Sequence, residues 1–421
     1  MSERLNAQLL LDYLVELGTA LMTVGCPTHR LEELLLAVAR REGREADVFA
    51  VPTGLFIGLR TPEGEPSMTT MVRVTEWAND LERLWALDEV LNEVADRTLT
   101  IPEARQRIRE VLRAPSPWPR WVQLLASAAA SGGAAVSFGG GVLEALVAAV
   151  GGVALRSTML ALRRSDASAR ENQRAGPTAQ GGIRVLENLL GGVLAGLFAW
   201  VASALGPAHR EVLVLSIIIP LLPGLTLTTG LVELTHKNLV AGTARMMHAA
   251  ITLLSLVFGI ALVVWLETSV GLPIAAPPLR ESAPWWLGGL STFFAALGFA
   301  ILLGLPRAKM SVALWSGAVV WLASAFTRPL GGPQAAFLNA LALALAANVW
   351  ARTTRHPAQV LLMPGLLLLV PGALSFRSLD SLLRGDAVTG LSGMADVILI
   401  AAALVMGLLV ANVALPSNKS L

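Results

Sequence analysis

The chain has 421 residues, 54% of them apolar and only 15% charged. Soluble domains carry about 25% charge, so the shortfall argues against a cytosolic enzyme and against any disordered or fibrous class. A formal charge of +2 is too small for a nucleic-acid partner, and the single cysteine, Cys26, excludes a disulfide framework and a cysteine-based metal site. Charge also divides the chain. Residues 1–120 hold 14 Arg and no Lys against 19 Asp and Glu, a net of −5, whereas 121–421 hold 18 Lys and Arg against 11 Asp and Glu, a net of +7. The first part reads as a soluble domain and the rest as a membrane domain.

In chain order, residues 5–24 predict an amphipathic helix through Leu5, Leu9, Leu10, Tyr13, Leu14, Leu17 and Leu21. Asp12 and Glu16 break its apolar run and no small-residue cleavage site follows, so it is not read as a signal peptide and the domain is expected to stay in the cytoplasm. Gly25-Cys26-Pro27 ends this helix. Thr28 is expected to cap the next one, with Glu32 and Glu33 in its first turn. Asp47–Val51, Leu55–Arg60 and Met68–Val74 read as strands, with Pro52-Thr53-Gly54 as a turn, and Asn79–Leu112 is helical with an interruption near Thr100. The Pro-rich stretch 115–120 is a stiff linker.

Ten apolar segments follow that could each span about 30 Å, at 121–138, 141–162, 185–205, 211–231, 245–267, 285–305, 309–326, 333–351, 357–374 and 394–415. Trp118, Trp121, Trp200, Trp265, Trp285, Trp286 and Trp350 fall near their ends, as interfacial anchors do. With the N-terminus inside, thirteen Lys and Arg lie in inner loops and five, Arg210, Arg280, Arg328, Arg377 and Arg384, in outer ones, so both termini are expected in the cytoplasm.

Shifted by 148 residues, Pro223-Gly224 falls on Pro371-Gly372, Gly242 on Gly390 and Gly259 on Gly407; the earlier spans match at a shift nearer 164. The reading is a mainly α-helical polytopic membrane protein with a small α/β domain at 1–114. Two inverted five-helix repeats follow at 121–268 and 285–415. Inverted repeats with broken helices are a transporter signature. Pro220 and Pro223-Gly224 are expected to interrupt the fourth span, and Pro364-Gly365 and Pro371-Gly372 the ninth.

Polar residues after the first break, Thr226, Thr229, Glu233 and Lys237, fall at spacings of three and four, with His236 and Asn238 beside them and Arg245 opening the next span. Glu233 with Thr226, Thr229 and Arg245 could hold a zwitterion; Glu233 and Lys237 could equally be an i,i+4 pair at a solvated helix end. Glu144 and Asp396 are proton candidates. His236 and His248 lack a third ligand, so no metal or other cofactor is expected.

Gly25-Cys26-Pro27-Thr28-His29-Arg30-Leu31-Glu32 and Val48-Phe49-Ala50-Val51-Pro52-Thr53-Gly54 resemble the N-terminal motifs of the threonine/serine exporter family. Leu222-Pro223-Gly224 with Glu233 and Gly242 is similar to its first membrane element. Asn348, Arg352, Pro357, Pro364-Gly365 and Val370-Pro371-Gly372 are similar to its second. The resemblance implies a cytoplasmic domain fused to ten helices in the inner membrane, exporting small hydroxy amino acids on the proton gradient. Some relatives split the two parts and are linked to dicarboxylate export. The expected partners are an amino-acid substrate and the lipid bilayer, with a homo-oligomer compatible with this class. An embedded enzyme would need a convergent acid, base or nucleophile set, which the spans lack. A membrane sensor with a ligand-binding cytoplasmic domain is the remaining alternative.

Overall fold

The computed structural model describes residues 2–60, 67–74, 78–172, 177–206, 208–270, 285–354, 356–370, 372–383 and 385–416. Helices α1 (Ser2–Thr23) and α2 (Thr28–Arg41) are separated by a turn in which Gly25 has φ +87°, a left-handed backbone that glycine takes without strain. Strands β1 (Ala46–Val51), β2 (Gly54–Leu59) and β3 (Met68–Arg73) form an antiparallel sheet in that order. Leu55, Ile57 and Leu59 are buried on the face that meets α1; Phe49, Phe56 and Met71, in register on the other face, are exposed. Helices α3 (Leu81–Ala95) and α4 (Ile101–Arg113) complete this part. Each starts at a capped residue: Asp80 accepts from Arg83 N, and Glu103 accepts from the N–H and hydroxyl of Thr100 at 2.9 and 2.6 Å.

Two groups of six helices follow. The first is α5 (Arg120–Ser137), α6 (Val142–Asn172), α7 (Pro177–Leu205), α8 (Arg210–Ile218), α9 (Gly224–Thr235) and α10 (Leu239–Val270). The second is α11 (Trp285–Leu302), α12 (Met310–Thr327), α13 (Gly332–Thr354), α14 (Gln359–Leu369), α15 (Gly372–Leu383) and α16 (Ala387–Ala414). Among the described residues, seven helical runs are long and apolar enough to cross a membrane, and α8–α9, bent by 59°, makes an eighth as one broken span. Of the ten expected spans, the other two are α5, diluted by Ser, Gly and Gln, and α11, whose apolar part Trp286–Leu302 is shorter.

The α8–α9 break falls where expected, through a 3-10 turn at Ile219–Leu221 ahead of Pro223. The second break is narrower than expected. Helix α14 runs straight through Pro364, and the interruption lies after Leu369; Pro371 itself is outside the described residues. Gly365 explains why the α14 helix persists. A Cβ there would lie 2.5 Å from Ser316 Oγ and 2.8 Å from Leu343 Cδ1, so α12 and α13 pack tightly on the segment that Pro364 would otherwise loosen.

The two groups are built alike. Helix α7 packs on α10 and α13 on α16; α9 packs on α10 and α15 on α16; α6 packs on α8 and α12 on α14. Local hydrogen bonds recur 148 residues apart. Gly224 N donates to Leu222 O (2.8 Å) and Gly372 N to Val370 O (2.9 Å); Asn238 N donates to Glu233 O (2.9 Å) and Asp386 N to Ser381 O (3.0 Å). The residues that end α9 and α15, Lys237 and Gly385, have φ +64° and +86°. Earlier in each group, Gly139 and Gly304 both turn with positive φ. Trp118, at the start of α5, donates Nε1–H to Leu305 O just past the end of α11, at 2.8 Å, so these two corresponding helices run in opposite directions.

Candidate functional site

Of the polar residues expected after the first break, Glu233 and Asn238 are spent on the N-terminal part of the chain. Glu233 is completely buried near the end of α9. Its Oε1 accepts from the N–H and the hydroxyl of Thr28, each at 3.1 Å, and its two oxygens accept from Arg245 Nε at 3.1 and 3.0 Å. Asn238 Nδ2 donates to Thr28 Oγ1 at 3.1 Å, and the His29 and His236 rings stack with centroids 4.2 Å apart. Thr28 is therefore the first residue of α2 rather than its cap. Its free N–H, one of those a helix start leaves unpaired, points at a carboxylate 205 residues away. Glu32 is likewise not a dipole partner in the first turn: its Oε1 accepts from Ala50 N at 2.8 Å and ties α2 to β1. Arg30 pairs with Glu33 at 3.3 Å, and Thr53, beside Pro52 in the hairpin turn, accepts from Val74 N at 3.0 Å. Burial, then His236, Arg30 and Arg245, depress His29 to about 3.

Lys237 does not join the Glu233 face. It adopts a left-handed backbone beyond the end of α9, so the i,i+4 pair cannot form, and the α9–α10 hairpin supplies Arg245 instead. Thr226 and Thr229 are half-buried nearer the start of α9.

A second contact joins the N-terminal part to the other group of helices. Leu81 N donates to Leu303 O at 2.8 Å, Arg307 Nε to Pro117 O at 2.9 Å, and the Trp85 ring lies 3.6 Å from the His356 ring and under Lys309 Nζ at 4.7 Å. Trp350, expected as a lipid anchor, faces this cluster, whereas Trp121, Trp265 and Trp286 are exposed as anchors would be. The N-terminal part thus grips both groups at the same end of the bundle.

At the opposite end lies a cavity of about 440 Å³. Its floor is the pair of breaks, Leu222 and Gly224 from one group and Val370 and Gly372 from the other. The two breaks meet reciprocally: a Cβ on Gly224 would come 2.5 Å from Val370 Cγ1, and a Cβ on Gly372 would come 3.3 Å from Leu222 Cβ. These pairs are again 148 residues apart. Ala134, Ala295, Phe299 and Val320 form buried walls, and Ser137, Gly139, Ala325 and Arg328 are exposed around the mouth. Glu233 lies nine residues along α9 from Gly224, roughly 14 Å at 1.5 Å per residue.

The remaining sequence candidates are elsewhere. Asn348 Nδ2 donates to Asn412 Oδ1 and Leu415 O, both at 2.9 Å, and Arg352 Nε donates to Pro416 O at 2.8 Å, so both fasten the end of α16. Asp396 is exposed on the outer face of α16. Glu144 is buried and accepts from Gly141 N at 2.8 Å and His209 N at 3.3 Å, bracing the turn beside the cavity mouth. Sequence reasoning missed Ser137, Thr292, Trp321, Ser324 and Arg328 as cavity-lining residues. Only Arg328 carried a signal, as a charge in an outer loop.

A bundle of helices, eight of them among the described residues long and apolar enough to cross a membrane when the α8–α9 pair counts as one, defines a multi-pass membrane protein. A family model described as "Putative threonine/serine exporter" matches residues 12–176 and 177–266, and another described as "Threonine/Serine exporter, ThrE" matches 289–414. The chain belongs to the threonine/serine exporter family. It is similar to pheromone-regulated membrane protein 10 of Kluyveromyces lactis, 26% identical over 391 residues covering 89% of this chain and 38% of the relative. The same-named protein of Eremothecium gossypii is 23% identical over 393 residues, covering 87% and 48%. An uncharacterized protein of Schizosaccharomyces pombe, C7D4.12c, is 25% identical over 383 residues, covering 86% and 47%. The chain spans less than half the length of these curated relatives. No solved structure matches it.

Proposed function

We propose that this chain is a secondary exporter of threonine, serine and similar small hydroxy amino acids, driven by the proton gradient. In this reading 121–268 and 285–415 are inverted five-helix repeats, giving ten spans with the broken ones counted once each. The α/β domain 1–114 and both termini lie in the cytoplasm of an inner-membrane protein. The observation that carries the reading is the reciprocal meeting of Gly224 with Val370 and Gly372 with Leu222 on the floor of one cavity. Irregular backbone at membrane depth is tolerated only within protein or beside a cavity, and transporters with inverted repeats bind substrate at such breaks. The cavity opens away from the N-terminal domain, and that domain clamps both repeats on the other side. This corresponds to an outward-facing state with the cytoplasmic side shut. Loading from the cytoplasm then requires the clamp to release one repeat, and the polar Thr28–Glu233 contact is the one we assign to release. Glu233 is a gate residue in this scheme rather than a substrate ligand. Of the proton candidates, Glu144 beside the mouth is better placed than Asp396.

Counterflow in proteoliposomes tests the proposal, using labelled threonine, serine and succinate. Exchange of threonine and serine, accelerated by a proton gradient, is expected. Exchange of succinate alone would replace the amino-acid reading with a dicarboxylate one, and exchange of none would remove the carrier reading altogether.

A further inference from the structure

We propose that Arg328 binds the carboxylate of the transported solute and thereby selects solutes with one carboxylate and no net positive charge. The proposal rests on the cavity being the transport site. Among the described residues that line it, Arg328 is the sole ionisable side chain. It stands at the mouth, directly after the last turn of α12, and makes no hydrogen bond or ion pair with a described residue. A guanidinium presents a fork of donors that matches a carboxylate in two parallel bonds. The partly desolvated walls, which include Phe299, Leu367 and Leu368, strengthen such a bond relative to water.

The hydroxyls in the cavity complement this cation. Ser137 donates to Gly133 O at 3.1 Å and Thr292 to Gly288 O at 2.8 Å. Their protons are thereby spent on the backbone, so toward the cavity each oxygen offers lone pairs. Ser324 Oγ accepts from Asn339 Nδ2 at 3.4 Å and keeps a proton to donate. The site therefore holds one strong anion receptor and several acceptors suited to an ammonium or a hydroxyl. A zwitterion satisfies both. A dicarboxylate would bring a second carboxylate that meets no cation on the described walls, and a cation without a carboxylate would leave Arg328 unpaired; each pays a desolvation penalty that the zwitterion avoids. The floor at Gly224 and Gly372, already in contact with Val370 and Leu222, restricts the side chain of the solute to a small one.

The test compares the native chain with Arg328→Gln and Arg328→Lys in proteoliposome counterflow, with threonine amide as a competitor that keeps everything but the carboxylate. The expected outcome is a KM for threonine at least tenfold higher in Arg328→Gln and less affected in Arg328→Lys. Threonine amide should compete poorly against the native protein and on nearly equal terms against Arg328→Gln. An unchanged KM and an unchanged preference over the amide in Arg328→Gln would overturn the assignment. A separate readout isolates the underlying reading: Ser324→Cys, in a Cys26→Ser background, should be protected by threonine from a small polar thiol reagent. If threonine protects the Ser324→Cys variant but Arg328→Gln transports normally, only the role of Arg328 falls. If threonine protects nothing while still being exchanged, the cavity is not the transport site and the Arg328 assignment falls with it.

Discussion

From α9, the Glu233 carboxylate gathers its hydrogen bonds from two other elements, the start of α2 and the facing arm α10 of the hairpin. Bonds to a charged acceptor contribute about 1.5–3 kcal/mol each, so this carboxylate holds the N-terminal domain far more firmly than a surface pair would. His29 adds a pH dependence to the same seam. Stacked on His236 at the end of α9, it is held near 3 against its ordinary 6.5, by burial first and then by His236, Arg30 and Arg245. The seated state therefore binds fewer protons than the released state. Seating is at full strength above about pH 6.5 and weakens as pH falls, by up to ~1.4 kcal/mol or tenfold per unit. Amide exchange at Thr28, whose N–H is bonded to Glu233, reads this directly. We expect Glu233→Gln to speed that exchange at neutral pH. Lowering the pH from 7.5 to 5.5 should cut the protection of that amide, taken relative to the intrinsic exchange rate at the same pH, about tenfold in the native chain and hardly at all in His29→Asn. Protection at Thr28 that ignores both Glu233 and pH would mean the seam is not a latch.

At the scale of elements, the packing of the two breaks leaves no room for a Cβ on Gly224, because Val370 Cγ1 would lie 2.5 Å from it. Overpacking of this kind costs typically about 1–3 kcal/mol. Gly224→Ala should lower transport at least tenfold while the protein remains inserted, and adding Val370→Ala should recover much of the loss by vacating the opposing methyl. The paired effect is measured by counterflow and by thermal unfolding of the single and double variants. Independent, additive losses would mean the breaks do not work against each other.

At the scale of the molecule, the N-terminal part holds both groups of helices at once, through Thr28 on one side and Leu81 and Trp85 on the other. Any movement of the two groups against each other has to break one of these contacts. Removing residues 1–112 should leave an inserted protein with transport impaired at least fivefold, and supplying 1–112 as a separate chain should restore it. Transport by the truncated chain at the full rate would make the domain an accessory.

The features readable from the sequence are those set by neighbours along the chain. The change in charge density at residue 120, the apolar runs, the turn at Gly25-Cys26-Pro27 and the interruption at Pro223-Gly224 each follow from local composition or from a missing N–H. The 148-residue spacing follows because the same hairpin, with the same left-handed closing residue, is built twice. Where local rules failed, a distant partner outweighed them. Pro364 did not break α14, because α12 and α13 close around Gly365. Lys237, read as a partner four residues from Glu233, was removed by the backbone turn that ends α9. Thr28, read as a cap, was turned outward because Glu233 could accept both of its protons. The partners of Glu233 lie 205 and 12 residues away, and no periodicity reports such a distance; only the folded hairpin beneath a docked domain brings them together. The cavity was hidden for the same reason. Ser137, Thr292, Ser324 and Arg328 come from three helices and look, in sequence, like ordinary helix-end residues. Local chemistry determined that this chain crosses a membrane with two broken spans. Tertiary packing decided that the breaks face each other under a cavity with one cation among its described lining residues, and that the conspicuous carboxylate binds Thr28 of the N-terminal part.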